Sequence, residues 1–134
     1  MSQENADIAL RQIEAFNRRD ADAAVTFASP NVEWEDSMFW TEPTRTYRGR
    51  AELREWIKRV LEPWERITVR ADEIVQTRDG RVFGHMSVIG RGSASGVETE
   101  LQGWTVLWFD KGLITARRIF RDRAVALEAA GLQE

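Results

Sequence analysis

Cysteine is absent from this chain of 134 residues, histidine occurs once, tyrosine once and proline three times. Without cysteine there is no disulfide framework, no thiol nucleophile and no thiolate metal site, a composition suited to a reducing compartment. A single His85 and no cluster of carboxylates at ligand spacing leave too few donors for a metal. The expectation is therefore a protein with neither metal nor cofactor. Positive charge is not in excess either: 19 basic residues stand against 22 acidic ones, so there is no electrostatic footprint for nucleic acid or an anionic membrane. No apolar run approaches the ~20 residues that cross a bilayer. The opening residues Met1–Asp7 lack the basic start and apolar core of a secretion signal, which sets the expectation of a cytoplasmic protein. The glycine-rich stretch Gly90–Gly96 lacks the Gly-Lys-Ser/Thr ending of a phosphate loop, and no nucleophile elbow is present. The length fits one domain, residues 1–134, able to bury a core.

What the chain does have is aromatic mass, six tryptophans and six phenylalanines, which need a core, a cavity or an interface to hide in. The apolar spacing Ala9, Ile13, Phe16 predicts a helix over 5–18. Asp20 reads as the N-cap of a short second helix carrying Ala24, Val25, Phe27 and Ala28, stopped by Ser29-Pro30. Alternation predicts a strand over Val32–Asp36, followed by a long aromatic loop, Ser37 to Arg48. A third helix follows Gly49, with Leu53, Trp56, Ile57 and Val60 on one face and Pro63 behind it. The period then changes to two. Ile67–Val69 and Glu73–Val75 suggest one bent strand, Asp79-Gly80 a hairpin turn, and 81–91 the next strand. Glu98–Asp110 and Leu113–Phe120 follow as further strands around the turn Asp110-Lys111-Gly112. A closing helix over Arg123–Ala130 ends at Gly131 with Leu132 behind it, the pattern of a Schellman stop. Helices first and a long antiparallel meander after them make an α+β fold, in which a curved sheet wraps a cavity beneath the helices.

Asp36 is the odd residue in this pattern. Period two puts it on the same strand face as Val32 and Trp34, and a carboxylate on an apolar face is costly without a partner or a task. An apolar pocket formed with Trp34, Phe39 and Trp40 would raise its pKa by desolvation. The bland alternative is an Asp capping the loop that follows the strand. His85 shares a strand face with Phe83, Ser87 and Ile89. Its ring suits acid–base work or ligand binding, or else it is a buried histidine satisfied by a carbonyl.

Four stretches carry a resemblance: Phe27-Ala28-Ser29-Pro30-Asn31-Val32-Glu33-Trp34-Glu35-Asp36, Tyr47-Arg48-Gly49 leading into Ala51–Trp56, Trp104–Ile114, and Ala126–Leu132. In them the chain resembles the NTF2-like, cone-shaped α+β superfamily, in its SnoaL-like and ketosteroid-isomerase-like branch. That family hosts isomerases, cyclases, hydrolases, dehydratases and binding modules, so the fold alone does not give a function. The resemblance implies a general base at Asp36, which matches the base position of ketosteroid isomerases. Their oxyanion hole uses a Tyr and a protonated Asp; the matching positions here are Gln12 and, closely, Thr105. The Arg-x-Asp and later Asp of limonene-epoxide-hydrolase-like members fall on His85-Met86-Ser87 and Arg118, so that pattern is missing as well.

The site expected from these readings has Asp36, His85 and Arg118 as its chemical groups. Arg118 would pair with Asp36 or grip an oxygen of the substrate, and its neighbour Arg117 would face outward. Trp34, Phe39, Trp40, Tyr47, Trp56, Phe83, Ser87 and Phe120 would line the pocket, with Gln12 a further polar contact. The loop 37–48 suits a lid. Trp104, Val106 and Trp108 alternate onto the opposite sheet face, which would be covered by a second subunit in a homodimer. Three functions stay open: a cofactor-independent isomerase, cyclase or dehydratase acting on a small hydrophobic molecule, a ligand-binding protein without catalysis, or a protein-interaction module with a small or filled cavity and an apolar patch beyond the dimer face.

Overall fold

Small side chains bring the first helix close to the sheet. The computed structural model describes residues 3–36 and 43–133. In it helix α1 (Glu4–Asn17) buries Ala6, Ala9 and Ala15 and lies against strand β3 (Trp64–Gln76). Strand β3 is an edge strand, so its outer backbone groups lack a neighbouring strand. Helix α1 supplies the missing partners. The Asn17 amide donates to the Val69 carbonyl at 2.9 Å and accepts from the Val69 N–H at 2.8 Å. Near the other end of α1, the Ala6 N–H donates to Gln76 Oε1 at 3.1 Å, and Asn5 Nδ2 to the Gly80 carbonyl at 2.8 Å. Asp20 caps the short helix α2 (Ala21–Val25) as expected, accepting from the Ala23 N–H at 3.0 Å.

Strand β1 (Ala28–Asp36) starts four residues earlier than alternation suggested. The short helix ends at Val25, before Phe27 and Ala28, and Ser29 and Pro30 fall in an irregular stretch of β1 between two paired segments, Ala28↔Ile114 and Glu33↔Ala116. No ladder hydrogen bond is asked of proline there. Part of the expected loop is also a strand: β2 (Arg45–Arg48) pairs antiparallel with β1, Trp34 opposite Tyr47 and Asp36 opposite Arg45. Residues 37–42 of the expected lid lie outside the described residues. Helix α3 (Gly49–Leu61) then buries Leu53, Trp56, Ile57, Val60 and Leu61 on one face.

Strands β4 (Val82–Gly92), β5 (Glu98–Asp110) and β6 (Leu113–Phe120) complete a six-stranded curved, unclosed sheet in the order β2-β1-β6-β5-β4-β3, parallel only at β1–β6. Bulges within β3 and between Trp108 and Phe109 on β5 break the registers and bend the strands. The predicted bend of β3 is the bulge between Ala71 and Glu73. Gly90 lets the Trp64 ring lie on the β4 backbone; a Cβ there would meet that ring at 2.7 Å.

The sheet has two apolar faces with different covers. Helices α1, α2 and α3 close the concave face around Val32, Trp34, Ile57 and Leu107. The outer face buries Phe83, Val106 and Phe120 under helix α4 (Arg123–Ala130). The stripe Trp104, Val106 and Trp108 does lie on this outer face, and α4 of the same chain packs on it. Asp122 caps α4, and Gly131 ends it at φ 75° with Leu132 N–H donating to the Leu127 carbonyl at 2.8 Å. Arg81 Nη1 donates to the Ala129 carbonyl at 2.9 Å, and Arg123 pairs with Glu73 at 2.7 Å, fixing both ends of the helix to the sheet.

Candidate functional site

Between the helices and the concave face lies a cavity of about 160 Å³. Ala9, Ile13 and Phe16 of α1 form one wall, and Trp56, Ile57 and Val60 of α3 another. Strand β3 adds Ile67 and Val69, β4 adds Met86 and Val88, and the inward-facing positions of β5 line it with Leu101, Gly103, Thr105 and Leu107. Among the described residues two charged side chains reach it, Asp36 and Arg117.

Strand register brings these two together. Trp34 of β1 stands opposite Arg117 of β6, and Asp36 follows Trp34 on the same face by period two. Arg117 Nη1 donates to Asp36 Oδ2 in a direct ion pair, with the two side chains only 17% and 12% exposed. The guanidinium also lies over the Trp34 ring, 4.8 Å from its centroid, an attraction strengthened where water is excluded. The same Nη1 lies 3.5 Å from the Glu35 carbonyl oxygen.

Two neutral polar side chains share the cavity. Gln12 of α1 and Thr105 of β5 are 8% and 6% exposed. Neither side chain hydrogen-bonds to another described residue. Gly84 stands opposite Thr105. A Cβ at that position would come within 3.2 Å of Thr105 Oγ1 and 2.5 Å of Met86 Cε, so glycine there lets the Met86 methyl pack onto the β4 backbone. The indole N–H groups of Trp34 and Trp56 are buried without an acceptor among the described residues.

Several expected site residues lie elsewhere. Arg118 is on the outer face, 56% exposed, 3.9 Å from Glu35 and over the Phe120 ring. The cause is one residue. An unbroken ladder from the Lys111-Gly112 turn would put Arg118 opposite Thr105, but the bulge between Trp108 and Phe109 shifts the register, so Val106 faces Arg118 and Leu107 faces Arg117. A slip of one exchanges the two faces. Phe120 moves outward by the same shift and pairs with Trp104. His85 also pairs with Trp104, and antiparallel partners share a face, so His85, Phe83 and Ser87 all point away from the cavity. His85 stacks on the Trp104 ring at 5.0 Å, with Nε2 3.1 Å from Gln102 Oε1. Ser87 donates to Asp72 and receives Arg70 Nη2 at 3.3 Å. The Ser87 hydrogen bond first, and second that of Arg70 Nε, which donates to Asp72 Oδ1 at 2.7 Å, hold the Asp72 carboxyl below its ordinary value.

Of the expected lining, Trp34 and Trp56 do face the cavity. Tyr47 is buried behind them, its ring 5.6 Å from that of Trp56. Phe39 and Trp40 lie outside the described residues. Arg117 is the residue that sequence reading placed wrongly and the site needs most; no local pattern marks the bulge that turns it inward. Among the described residues no three of His, Cys, Asp and Glu come together in a way that could hold a metal, and no helix is long and apolar enough to cross a membrane.

Comparison with known proteins places this architecture. A family model described as SnoaL-like domain matches residues 9–117. No curated protein sequence matches the chain. Among solved structures, an NTF2-like protein of unknown function from Burkholderia pseudomallei superposes with a TM-score of 0.76 at 21% identity, over 96% of this chain and 97% of its own. A hypothetical protein with a ketosteroid isomerase-like fold from Catenulispora acidiphila, in complex with trimethylamine, gives 0.75 at 17%, over 94% and 93%. The epoxide hydrolase/cyclase-like enzyme SalBIII, of pyran ring formation in the polyether salinomycin, gives 0.75 at 20%, over 91% and 93%. At these identities the shared property is the fold.

Proposed function

This chain belongs to the SnoaL-like domain family, and from that premise we propose that it binds a small, mostly apolar molecule in the cone and moves a proton on it without a cofactor. The observation that carries this is the Asp36–Arg117 ion pair set into the wall of an apolar cavity. A buried ion pair is no stability device, since apolar side chains of similar volume do as well or better. Its position against a ligand-sized space is the arrangement acid–base chemistry needs. Asp36 takes the proton from a carbon next to a carbonyl. The C–H electron pair flows into the carbonyl group, and the enolate oxygen collects the charge that Asp36 loses. The guanidinium, with five N–H donors, serves the carboxylate before transfer and the oxyanion after it, so positive and negative charge stay balanced throughout. Return of the proton to another carbon is an isomerisation; loss of a β-hydroxyl is a dehydration.

The test is exchange of α-protons. Small cyclic ketones such as cyclohexanone, in deuterated buffer, should incorporate deuterium faster with the protein than without it. Asp36→Asn should lower that acceleration by about 10²-fold or more, the usual worth of a positioned base. Full exchange with Asp36→Asn would sink the mechanism. A second reading, binding without catalysis, is favoured by the direct hold of Arg117 on Asp36. It predicts saturable binding of the same ketones with no accelerated exchange in either protein.

A further inference from the structure

We propose that Met86 and Gly84 together set the size of molecule the cone accepts, with Gly84 giving the Met86 methyl a place to lie outside the ligand space. The proposal rests on the cavity being a ligand site. Met86 lines the cavity and is 8% exposed. Period two puts it and Gly84 on the concave face of β4, one step apart. The sheet around Met86 is bare. Ala71 stands opposite on β3 and Gly103 opposite on β5, so neither flank carries more than a methyl. A Cβ at residue 84 would meet Met86 Cε at 2.5 Å, Thr105 Oγ1 at 3.2 Å and Ile74 Cδ1 at 3.4 Å. The Met86 methyl therefore lies on the backbone of Gly84, in a niche closed by Thr105 and Ile74. Glycine inside a strand adds chain entropy and no packing, and close approach of another group is a usual reason for it. Here that group is the strand's own methionine. Among the described lining residues Met86 is the one long apolar side chain without a branch. Its rotatable bonds and polarisable sulfur let it change shape more cheaply than the branched Ile67, Val69, Val88 and Leu101. With the methyl in its niche the cavity is about 160 Å³, against roughly 150 Å³ for an apolar cavity that holds benzene. Space for one ring thus depends on where one methyl group lies. Driven off Gly84, the end of the side chain turns into the cavity and takes part of that room. Shortened to alanine, the side chain leaves room for a larger molecule.

Cyclohexanone and 1-indanone probe the two sizes, the second exceeding the first by as many heavy atoms as Met86→Ala removes. Dissociation constants would be measured by NMR titration of the full chain, following the methyl groups of Met86, Val88 and Leu101. Four proteins are compared: unaltered, Gly84→Ala, Met86→Ala and the double variant Gly84→Ala/Met86→Ala. Gly84→Ala should fold, because the atom it displaces ends a flexible side chain and alanine suits a strand better than glycine. It should weaken cyclohexanone at least about tenfold, the worth of one misplaced methyl-sized group in an apolar pocket. The double variant should bind cyclohexanone as well as the unaltered protein or better, since no methyl is left to displace. Met86→Ala should favour 1-indanone over cyclohexanone at least about tenfold more than the unaltered protein does. Each single variant carries a test of its own. Unchanged cyclohexanone binding in Gly84→Ala, or an unchanged preference between the ketones in Met86→Ala, would overturn the proposal. So would a double variant as weak as Gly84→Ala, because the loss would then not pass through Met86. In those cases cyclohexanone binding by the unaltered protein still upholds the pocket. If cyclohexanone moves no cavity resonance in the unaltered protein and 1-indanone none in Met86→Ala, the size filter and the pocket reading fall together.

Discussion

Arg117 and Arg118 are adjacent, identical in chemistry and opposite in consequence, which makes them a sharp test of the register at the site. Replacing Arg117 by Met keeps most of its volume and its contact with Trp34 but removes the guanidinium. Asp36, with a side chain 12% exposed, then loses its guanidinium counter-charge. Breaking a buried pair from one side costs about 3–5 kcal/mol, with about 1 kcal/mol more from the lost cation–π contact. For a chain of 134 residues the unfolding entropy is roughly 0.3 kcal/mol/K, so a loss of ~5 kcal/mol lowers Tm by about 17 °C. Replacing Arg118 by Met removes only a 3.9 Å contact with Glu35 from a side chain that is 56% exposed, worth less than about 1 kcal/mol. The double substitution Asp36→Leu with Arg117→Met should recover most of the loss, because neither charge is then stranded. Thermal melts of the four proteins, with urea unfolding to obtain free energies, check this. Arg118→Met costing as much as Arg117→Met, or Asp36→Leu/Arg117→Met being no more stable than Arg117→Met, would refute the buried pair as drawn.

Asn17→Ala strips the exposed edge of β3 of both hydrogen bonds at Val69; a loss of about 1–3 kcal/mol is expected, with faster hydrogen exchange at the Val69 amide than at residues away from that edge. Gly90→Ala places a Cβ at 2.7 Å from the Trp64 ring; displacing the ring should cost about 1–3 kcal/mol by urea unfolding, and a neutral result would mean that Trp64 does not pack there. Hydrogen bonds from Arg81, then Thr77, hold the Asp79 carboxyl well below its ordinary 3.8, and Arg123 holds Glu73 below its ordinary 4.5. Both folded values are depressed, so the stabilisation is present above the unfolded values and is lost as pH falls below about 4 towards the folded ones. Asp79→Asn should therefore flatten the decline of Tm between pH 4 and pH 2, by a modest amount given the exposure of the carboxylate; an unchanged slope would remove Asp79 from the account.

The parts of this molecule that sequence reveals are those set within one element. Strands β5 and β6 and helix α4 keep the bounds that alternation, the Lys111-Gly112 turn and the Gly131 stop imply, because each signal acts over a few neighbouring residues. Asp36 was legible for the same reason: its face follows from Val32 and Trp34 two and four residues before it. Partners across strands are another matter. Whether Arg117 or Arg118 meets Asp36 depends on a bulge that adds one residue, near Thr115 on β6, against Trp108–Phe109 on β5, and bulges serve to re-aim side chains without a reliable local mark. His85 shows where more could have been read. Its face is tied to that of Trp104 by an odd-to-even register of β4 on β5 that continues without a break from Val82↔Leu107 to Arg91↔Glu98. Assigning His85 to the cavity and Trp104 to the outside was therefore compatible with only one parity of a hairpin whose loop leaves both open. The cost of choosing the wrong parity was chemical as well as geometric. It supplied a titrating imidazole to a cavity whose polar groups among the described residues include instead an ion pair, an amide and a hydroxyl. The proposed mechanism changes with it: proton transfer to Asp36 beside Arg117 needs no second titrating group, so deuterium exchange into cyclohexanone should be unaltered in His85→Phe, and a loss of exchange there would refute the outward placement of His85.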